Sequence, residues 1–131
     1  MSTADDRSTA EVARSYVESF ATGDPDRVAG WVTDDFVNEH TAALGTGCVG
    51  RDEYRSRLPQ FLATFAGLRY DVEQVVADDG RAAVAYTMRA THDGHPVELR
   101  GVMWIVVRDG RVAKRTDYWD ALTFLQQVGR V

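Results

Sequence analysis

Hydrophobic residues near the start of the chain recur every three or four positions, as they do on one side of a helix. The members of this stripe are Val12, Tyr16, Val17 and Phe20. The stripe ends just before Gly23, a residue type that commonly terminates helices, so we predict a helix over residues 9–22. Residues 1–8 are polar and acidic, and we expect them to form a disordered leader.

Two further helices are predicted in the first half of the chain. Asp24-Pro25 supplies an N-cap and a first-turn proline for the second helix. Its inner face is apolar and consists of Val28, Trp31 and Val32. The third helix, about residues 51–65, contains Pro59, which should kink or split it because proline lacks a backbone N–H. Between these helices lie a short alternating stretch, residues 36–40, and a glycine-containing loop, residues 41–50.

The second half of the chain alternates apolar and polar residues, as strands with one buried face do. Four strands are predicted, with the bounds Leu68–Ala77, Arg81–Thr91, Pro96–Arg108 and Val112–Trp119. An aspartate-glycine pair precedes each of the last three strands and is a strong hairpin signal, because both turn positions favour positive φ. We therefore predict an antiparallel meander, followed by a helix over Ala121–Gln127 with Leu122, Leu125 and Val128 directed inward.

Three helices before a meander predict an α+β fold, in which the helices wrap one face of a cone-shaped, curved antiparallel sheet. Such a cone encloses an apolar, one-ended concavity of the kind that binds small ligands. Four apolar residues of the predicted strands are candidates for its core or wall, where they would set the shape of the ligand. They are Val84, Met88, Val102 and Trp104.

Charge and composition exclude several classes of partner. The net charge of −5, without a lysine or arginine cluster, argues against nucleic acid and anionic membranes. Cys48 is the single cysteine, so no intrachain disulfide can form, and no residues have the spacing of a metal site. We expect neither a metal nor a cofactor. No apolar run resembles a membrane span or a signal peptide, which predicts a cytoplasmic protein.

The last predicted strand carries the strongest candidate chemistry. By alternation, Arg115, Asp117 and Trp119 share one face of this strand. A carboxylate between an arginine and aromatic residues has the surroundings of a tuned acid or base, although a solvated position at the sheet edge is equally compatible with the spacing. Asp120 is either a second acid/base candidate or the N-cap of the closing helix.

Five motifs occur together along the chain. They are Phe20-Ala21-Thr22-Gly23-Asp24, Thr33-Asp34-Asp35-Phe36, Gly50-Arg51-Asp52, Arg108-Asp109-Gly110-Arg111-Val112 and Asp117-Tyr118-Trp119-Asp120. This set resembles the nuclear transport factor 2-like superfamily, in particular its SnoaL-like branch of polyketide cyclases, over roughly residues 8–129. The resemblance implies one SnoaL-like domain over residues 9–131. The resemblance does not define one function, because proteins with this fold include isomerases, cyclases, epoxide hydrolases and non-catalytic proteins.

The resemblance also implies roles for particular residues. Tyr16 lies where ketosteroid isomerases of the superfamily place an oxyanion-binding tyrosine, and His40 lies where they place the aspartate base. Either residue can instead be a satisfied core residue. The second oxyanion acid of those isomerases corresponds to Val102, so that activity is not expected. In SnoaL-type cyclases the catalytic aspartate corresponds best to Asp120, with Asp117 close by.

Limonene-epoxide hydrolases end in a run similar to Asp117-Tyr118-Trp119-Asp120, and Asp117 matches one of their catalytic carboxylates. Their companion arginine and second aspartate correspond to Val84 and Tyr86, which leaves no evident group to polarise an epoxide oxygen. An epoxide hydrolase-like activity is therefore only an alternative for this chain.

The sequence predicts a cofactor-independent enzyme that abstracts or transfers a proton on a hydrophobic carbonyl compound. Asp117 or Asp120 would be the acid/base and His40 a second proton carrier, while Tyr16 and Tyr86 would donate to the oxyanion. Trp119 would bind substrate beside them. A non-catalytic ligand-binding or dimeric interaction protein of the same fold is the alternative from a different functional class.

A homodimer through the sheet is also predicted. By alternation, we place an apolar row of the third predicted strand on the outer face of the sheet, where such a patch usually marks an interface. The row consists of Leu99, Met103, Ile105 and Val107.

Overall fold

The computed structural model describes residues 3–131 and has the predicted α+β architecture. The helices are α1 Thr3–Ser19, α2 Pro25–Ala29, α3 Arg51–Thr64 and α4 Ala121–Gln127, with a short 3₁₀ turn, Phe20–Thr22, after α1. The strands are β1 Val32–His40, β2 Cys48–Val49, β3 Ala66–Asp78, β4 Arg81–His92, β5 His95–Arg108 and β6 Arg111–Tyr118. Helices α1 to α3 pack against one face of the curved sheet.

The meander of β3 to β6 is confirmed, with each strand antiparallel to the next. All three aspartate-glycine turns have positive φ at both positions, for example 51° at Asp79 and 82° at Gly80. This conformation matches the twist of the flanking strands, which is why so short a signal defined the strand boundaries well. The sheet order is β2-β1-β6-β5-β4-β3.

Strand β1 pairs in parallel with β6, which brings residues from opposite halves of the chain side by side. Asn38 lies opposite Arg115, and His40 lies opposite Asp117. The predicted alternating stretch at residues 36–40 is thus the end of a longer strand. Val32, assigned by its pattern to the second helix, is instead the first residue of this strand.

Helix α1 buries its predicted stripe, and Tyr16, Val17 and Phe20 are almost completely shielded from solvent. The helix begins at Thr3, earlier than predicted, so residues 3–8 are helical and not an irregular leader. Residues 1 and 2 of the predicted leader lie outside the described residues.

Helix α3 is continuous through Pro59. The split that was one of the two outcomes predicted for this proline does not occur. Its buried residues, Tyr54 and Leu58, both precede the proline. Trp31 lies in the turn between α2 and β1 and is only partly buried, so it is not the anchor of a helix face.

The predicted orientation of β5 is wrong. Leu99, Met103 and Ile105 point into the core, so they cannot form an outer interface, and Val107 is partly buried against the same core. Val102 and Trp104 are instead 39% and 43% exposed on the outer face. Apolar residues occupy both faces of this strand, so alternation alone does not orient it. The exposed Glu98 and Arg100, which share the face of Val102 and Trp104, were the available signal.

Helix α4 has the predicted bounds but a different inner face. Phe124 and Val128 are buried, whereas Leu122 is 53% exposed and therefore does not point inward as predicted. The side-chain amide of Gln127 bonds both backbone groups of Glu98, accepting from its N–H at 2.9 Å and donating to its carbonyl at 2.8 Å. These bonds fix α4 against β5 and hold Phe124 in its buried position.

Candidate active site

A cavity with two adjoining lobes lies between the concave face of the sheet and helices α3 and α4. The lobes share the lining residues His40, Thr46, Phe61 and Phe65. One lobe, about 280 Å³, is lined by Asp117 and Tyr86 and is called the Asp117 lobe. The other, about 560 Å³, is lined by Asn38 and Arg115 and is called the Asn38 lobe. The walls are mainly aromatic and aliphatic, as in pockets for apolar ligands.

Asp117 is the acidic group of the cavity. Its side chain is almost completely buried, and each carboxylate oxygen accepts one hydrogen bond from the protein. The hydroxyl of Tyr86 donates to Oδ1 at 2.6 Å, and Arg115 donates from one terminal nitrogen to Oδ2 at 2.8 Å. Each oxygen keeps a further lone pair, so the carboxylate can still accept a proton from a ligand.

Gly101 gives the Tyr86 hydroxyl the space to reach Asp117. The two residues are direct partners in the β4–β5 ladder. A Cβ at position 101 would lie 2.4 Å from the Tyr86 hydroxyl oxygen and 2.6 Å from the carbonyl oxygen of Tyr118. Burial, followed by the charge of Asp117, raises the pKa of Tyr86, so this tyrosine stays protonated and donates to the carboxylate. It is therefore not the free oxyanion donor that the sequence predicted.

His40 lines both lobes and is held by Trp119. The indole N–H of Trp119 donates to His40 Nδ1 at 3.2 Å, and Nδ1 lies 3.9 Å from Asp117 Oδ2. Burial, together with the nearby Arg115 charge, lowers the pKa of His40 to about 4, so the ring is neutral at pH 7.

The indole bond also fixes the tautomer of His40. Indole is only a donor, so Nδ1 must present its lone pair and the single ring proton lies on Nε2. Nε2 remains accessible and has no hydrogen-bond partner among residues 3–131. At neutral pH His40 therefore offers the cavity an N–H donor rather than a free proton or a strong base.

Tyr16 lies behind the cavity wall and not in it. Its hydroxyl is 2.6 Å from that of Tyr54 and accepts a bond from Arg115 at 3.4 Å. Burial raises the pKa of both tyrosines. His40 and Asp117 therefore line one cavity, whereas Tyr16 does not. Tyr16 instead helps to position the Arg115 guanidinium, which also packs over the Phe20 ring at 5.4 Å.

Of the other predicted substrate-binding residues, some line the cavity and some do not. Met88 and Trp119 line the Asp117 lobe as predicted. Val84 is completely buried in the core and lines neither lobe. The prediction that Val102 and Trp104 line the pocket is wrong, because both lie on the opposite face of the sheet.

Asp120 is the N-cap of α4. Its carboxylate accepts from the backbone N–H of Leu122 at 2.9 Å and from the Thr123 hydroxyl at 2.7 Å. The Thr123 bond lowers the pKa of Asp120. The residue is exposed and lines neither lobe, which decides between the two roles left open by the sequence.

Sequence reasoning missed three buried polar residues of this region: Asn38, Tyr54 and Tyr70. The parallel pairing of β1 with β6, which places Asn38 beside Arg115, has no local sequence signal. Among residues 3–131, no cluster of histidine, cysteine or carboxylate side chains has the arrangement of a metal site. Nor does any helix in the described part of the chain have the length and apolarity needed to cross a membrane.

The curved sheet, its helical cover and the polar groups at its concave face define an α+β cone with a cavity at the concave face. The sequence profile of the SnoaL-like domain matches residues 13–115. The chain therefore belongs to the SnoaL-like domain family, and it has the fold of a nuclear transport factor 2-like protein.

Solved structures with the same fold come from several bacteria. A protein with a ketosteroid isomerase-like fold from Catenulispora acidiphila DSM 44928, in complex with trimethylamine, has a TM-score of 0.83 at 13% identity, covering 91% of this chain and 92% of that one. A candidate polyketide cyclase from Xanthomonas campestris pv. campestris has a TM-score of 0.82 at 21% identity, with 94% and 98% covered. An LEH-like epoxide hydrolase from M. tuberculosis has a TM-score of 0.82 at 17% identity, with 96% and 92% covered. No curated protein matches the sequence.

Proposed function

We propose that this protein is a cofactor-independent enzyme that abstracts and returns a proton on a hydrophobic carbonyl compound, as isomerases and polyketide cyclases do. The observation that carries this proposal is the pairing of Asp117 with His40 at the wall of one apolar cavity. Asp117 supplies an acceptor for the proton, and His40 supplies a neutral donor for the oxygen on which charge develops.

The chemistry begins with Asp117 taking a proton from the carbon next to the substrate carbonyl. The electron pair of the broken C–H bond moves into an enolate, whose oxygen accepts a hydrogen bond from His40 Nε2–H. Return of the proton to a different carbon gives an isomerase. Attack of the enolate carbon on a second carbonyl of the same molecule, with the proton passing to the new alkoxide, gives a cyclase.

Arg115 and Tyr86 hold the Asp117 carboxylate in one orientation for this step. Their bonds to Oδ2 and Oδ1 fix the plane of the carboxylate before substrate binds. Such preorganisation lowers the cost of reaching the transition state, because no side chain has to reorient during proton transfer.

The proposal is tested by following deuterium incorporation from D₂O into the carbon next to the carbonyl of apolar cyclic ketones, such as 2-tetralone, by NMR. The wild-type protein should accelerate this exchange, and Asp117→Asn should reduce the acceleration by about 10²–10⁴-fold. Asp120→Asn is the matched control and should keep the wild-type rate. Binding of the ketones without accelerated exchange by the wild-type protein would favour the non-catalytic alternative.

Epoxide hydrolysis is a second candidate, and one observation favours it. Val84 and Tyr86 occupy the positions where the resemblance placed an arginine and an aspartate, but a buried arginine does contact Asp117 from its own strand. An apolar epoxide incubated in H₂¹⁸O distinguishes the two reactions, since only a hydrolase gives a labelled diol whose formation depends on Asp117.

A further inference from the structure

Two residues that line the Asn38 lobe each have a buried polar atom without a hydrogen-bond partner. Asn38 is only 9% exposed and Arg115 only 3%, and both line this lobe. The side-chain oxygen Oδ1 of Asn38 and the Nε–H of Arg115 are buried and have no hydrogen-bond partner among the described residues. Unsatisfied buried groups are rare in folded proteins, because each loses its bonds to water without replacement.

The pairing of strands β1 and β6 makes Asn38 and Arg115 neighbours. Asn38 and Arg115 are direct partners in the parallel β1–β6 ladder, so their side chains leave the sheet side by side. The unpartnered acceptor and the unpartnered donor thus belong to two neighbouring residues in one wall of the lobe.

We infer that the Asn38 lobe is a subsite for a neutral hydroxyl group of the ligand, an alcohol, enol or phenol. A hydroxyl accepts one hydrogen bond and donates another, so a single group satisfies both Arg115 Nε–H and Asn38 Oδ1. A carboxylate does not fit, because it cannot donate to Asn38 and the Arg115 charge is already paired with Asp117.

The position of this subsite defines a substrate class. The two lobes meet at His40 and at the aromatic rings of Phe61 and Phe65, so one ligand can occupy both. Its carbonyl end would lie near Asp117 and its hydroxyl end near Asn38, with an apolar framework between. This assignment to hydroxylated ketones rests on the proposed function for the carbonyl end only.

The test compares ligands that differ in one group. 1-Tetralone, its 5-, 6- and 7-hydroxy derivatives and the corresponding methoxy derivatives are titrated by calorimetry. We expect the wild-type protein to bind at least one hydroxy ketone about tenfold more tightly than 1-tetralone. The methoxy derivative should show no such gain, because it can accept a hydrogen bond but cannot donate to Asn38.

Asn38→Leu keeps the size of the side chain and removes both polar atoms, and we expect it to abolish the preference for the hydroxyl. Gln126→Leu makes the same amide-to-leucine change at an exposed position of α4 and should retain the preference. In the ligand-free protein, Asn38→Leu should leave Tm unchanged or raise it by a few degrees, because the wild-type amide oxygen has no bond to lose. A fall in Tm would show that Asn38 is a structural residue and would overturn the inference.

The remaining outcomes separate this inference from the proposed function. Equal wild-type affinity for all the ketones would overturn the hydroxyl subsite and leave the proton-transfer proposal standing. A hydroxyl preference that survives Asn38→Leu would overturn the assignment to Asn38. A hydroxyl preference without Asp117-dependent deuterium exchange would support the subsite and contradict the proposed enzyme.

Discussion

Arg115 and Asp117 form a buried ion pair in which each group depends on the other. Both side chains are almost entirely removed from solvent, and the guanidinium has no other carboxylate at ion-pair distance among the described residues. A charge in such a position is stabilised chiefly by its partner, because little water reaches it. The ion pair that orients the proposed base is therefore also one whose loss should destabilise the folded protein.

Replacing Asp117 by Asn should destabilise the protein by about 3–5 kcal/mol, because it leaves the Arg115 charge buried and uncompensated. The double variant Arg115→Met/Asp117→Asn should recover much of the loss, since no buried charge remains. Urea denaturation of the three proteins measures these differences. A single variant as stable as the wild type would show that water reaches Arg115.

His40 should make stability depend on pH below neutrality. Its pKa is about 4 in the folded protein and about 6.5 in an unfolded chain, so the unfolded state binds the proton more readily between these values. The stabilisation from keeping the ring neutral is complete above pH 6.5. It is lost as the pH falls from 6.5 to 4, and the full loss is up to about 3 kcal/mol.

The measurement is the free energy of unfolding from pH 4 to pH 7 for the wild type, His40→Gln and the exposed-site control His95→Gln. His40→Gln should show a shallower decline on acidification than the other two proteins. Parallel curves for all three would mean that the His40 ring protonates freely in the folded state.

At the scale of elements, sequence patterns located structure well where the signal was local. The aspartate-glycine turns gave the meander, and Ala121–Gln127 was predicted with its observed bounds. Both depend on φ preferences or caps within a few residues. The orientation of β5 and the start of β1 were missed, because each is decided by packing against distant segments.

The residues of the candidate site also divide into those with a local signal in the sequence and those placed by packing between distant segments. Asp117, His40, Met88 and Trp119 were recognised from residue type and resemblance, and all four line the cavity. The place of Tyr16 behind Arg115, and the inclusion of Asn38, follow from how β1, β6 and α1 pack together. No pattern within any one of these elements contains that information.

Helix α4 should depend on Asp120 as its cap. Asp120→Ala removes the acceptor for the Leu122 N–H and should cost about 1 kcal/mol, whereas Asp120→Asn should be nearly neutral because both residues cap well. Urea midpoints of the two variants check this prediction. Equal losses for alanine and asparagine would show that the charge of Asp120, and not its capping bond, stabilises the helix.

At the scale of the whole molecule, the outer face of the sheet carries an exposed apolar patch. Its members are Val76, Val102, Trp104 and Tyr118, defined here as the outer patch. Val102 is the ladder partner of Tyr118, and Ala83 pairs with both Val76 and Trp104, so the patch is continuous across the meander. We therefore expect the homodimer at the outer face of the sheet, as predicted, but through the outer patch and not through the predicted row of Leu99, Met103, Ile105 and Val107.

We expect a dimer in solution, because an exposed patch of this kind usually marks an interface. Trp104→Glu should shift it to a monomer in sedimentation velocity at micromolar concentration, since the charge would be buried at the interface. Leu122→Glu places the same charge on an exposed apolar residue of α4 and should leave the dimer intact. A monomeric wild-type protein would contradict the assignment.

The pairing of β1 with β6 also has a consequence for the order in which the molecule is made. The Trp119–His40 bond joins residues 79 positions apart, so the ribosome must add most of the chain before the two strands can meet. At about 5–20 residues per second, this interval lasts roughly 4–16 s. Throughout it, the nascent protein carries His40 without Asp117, and its helices have no complete sheet to cover. The cavity wall that joins His40 to Asp117 is therefore completed in one late event, after β6 has been added, and a chain that stops before β6 lacks the proposed acid/base.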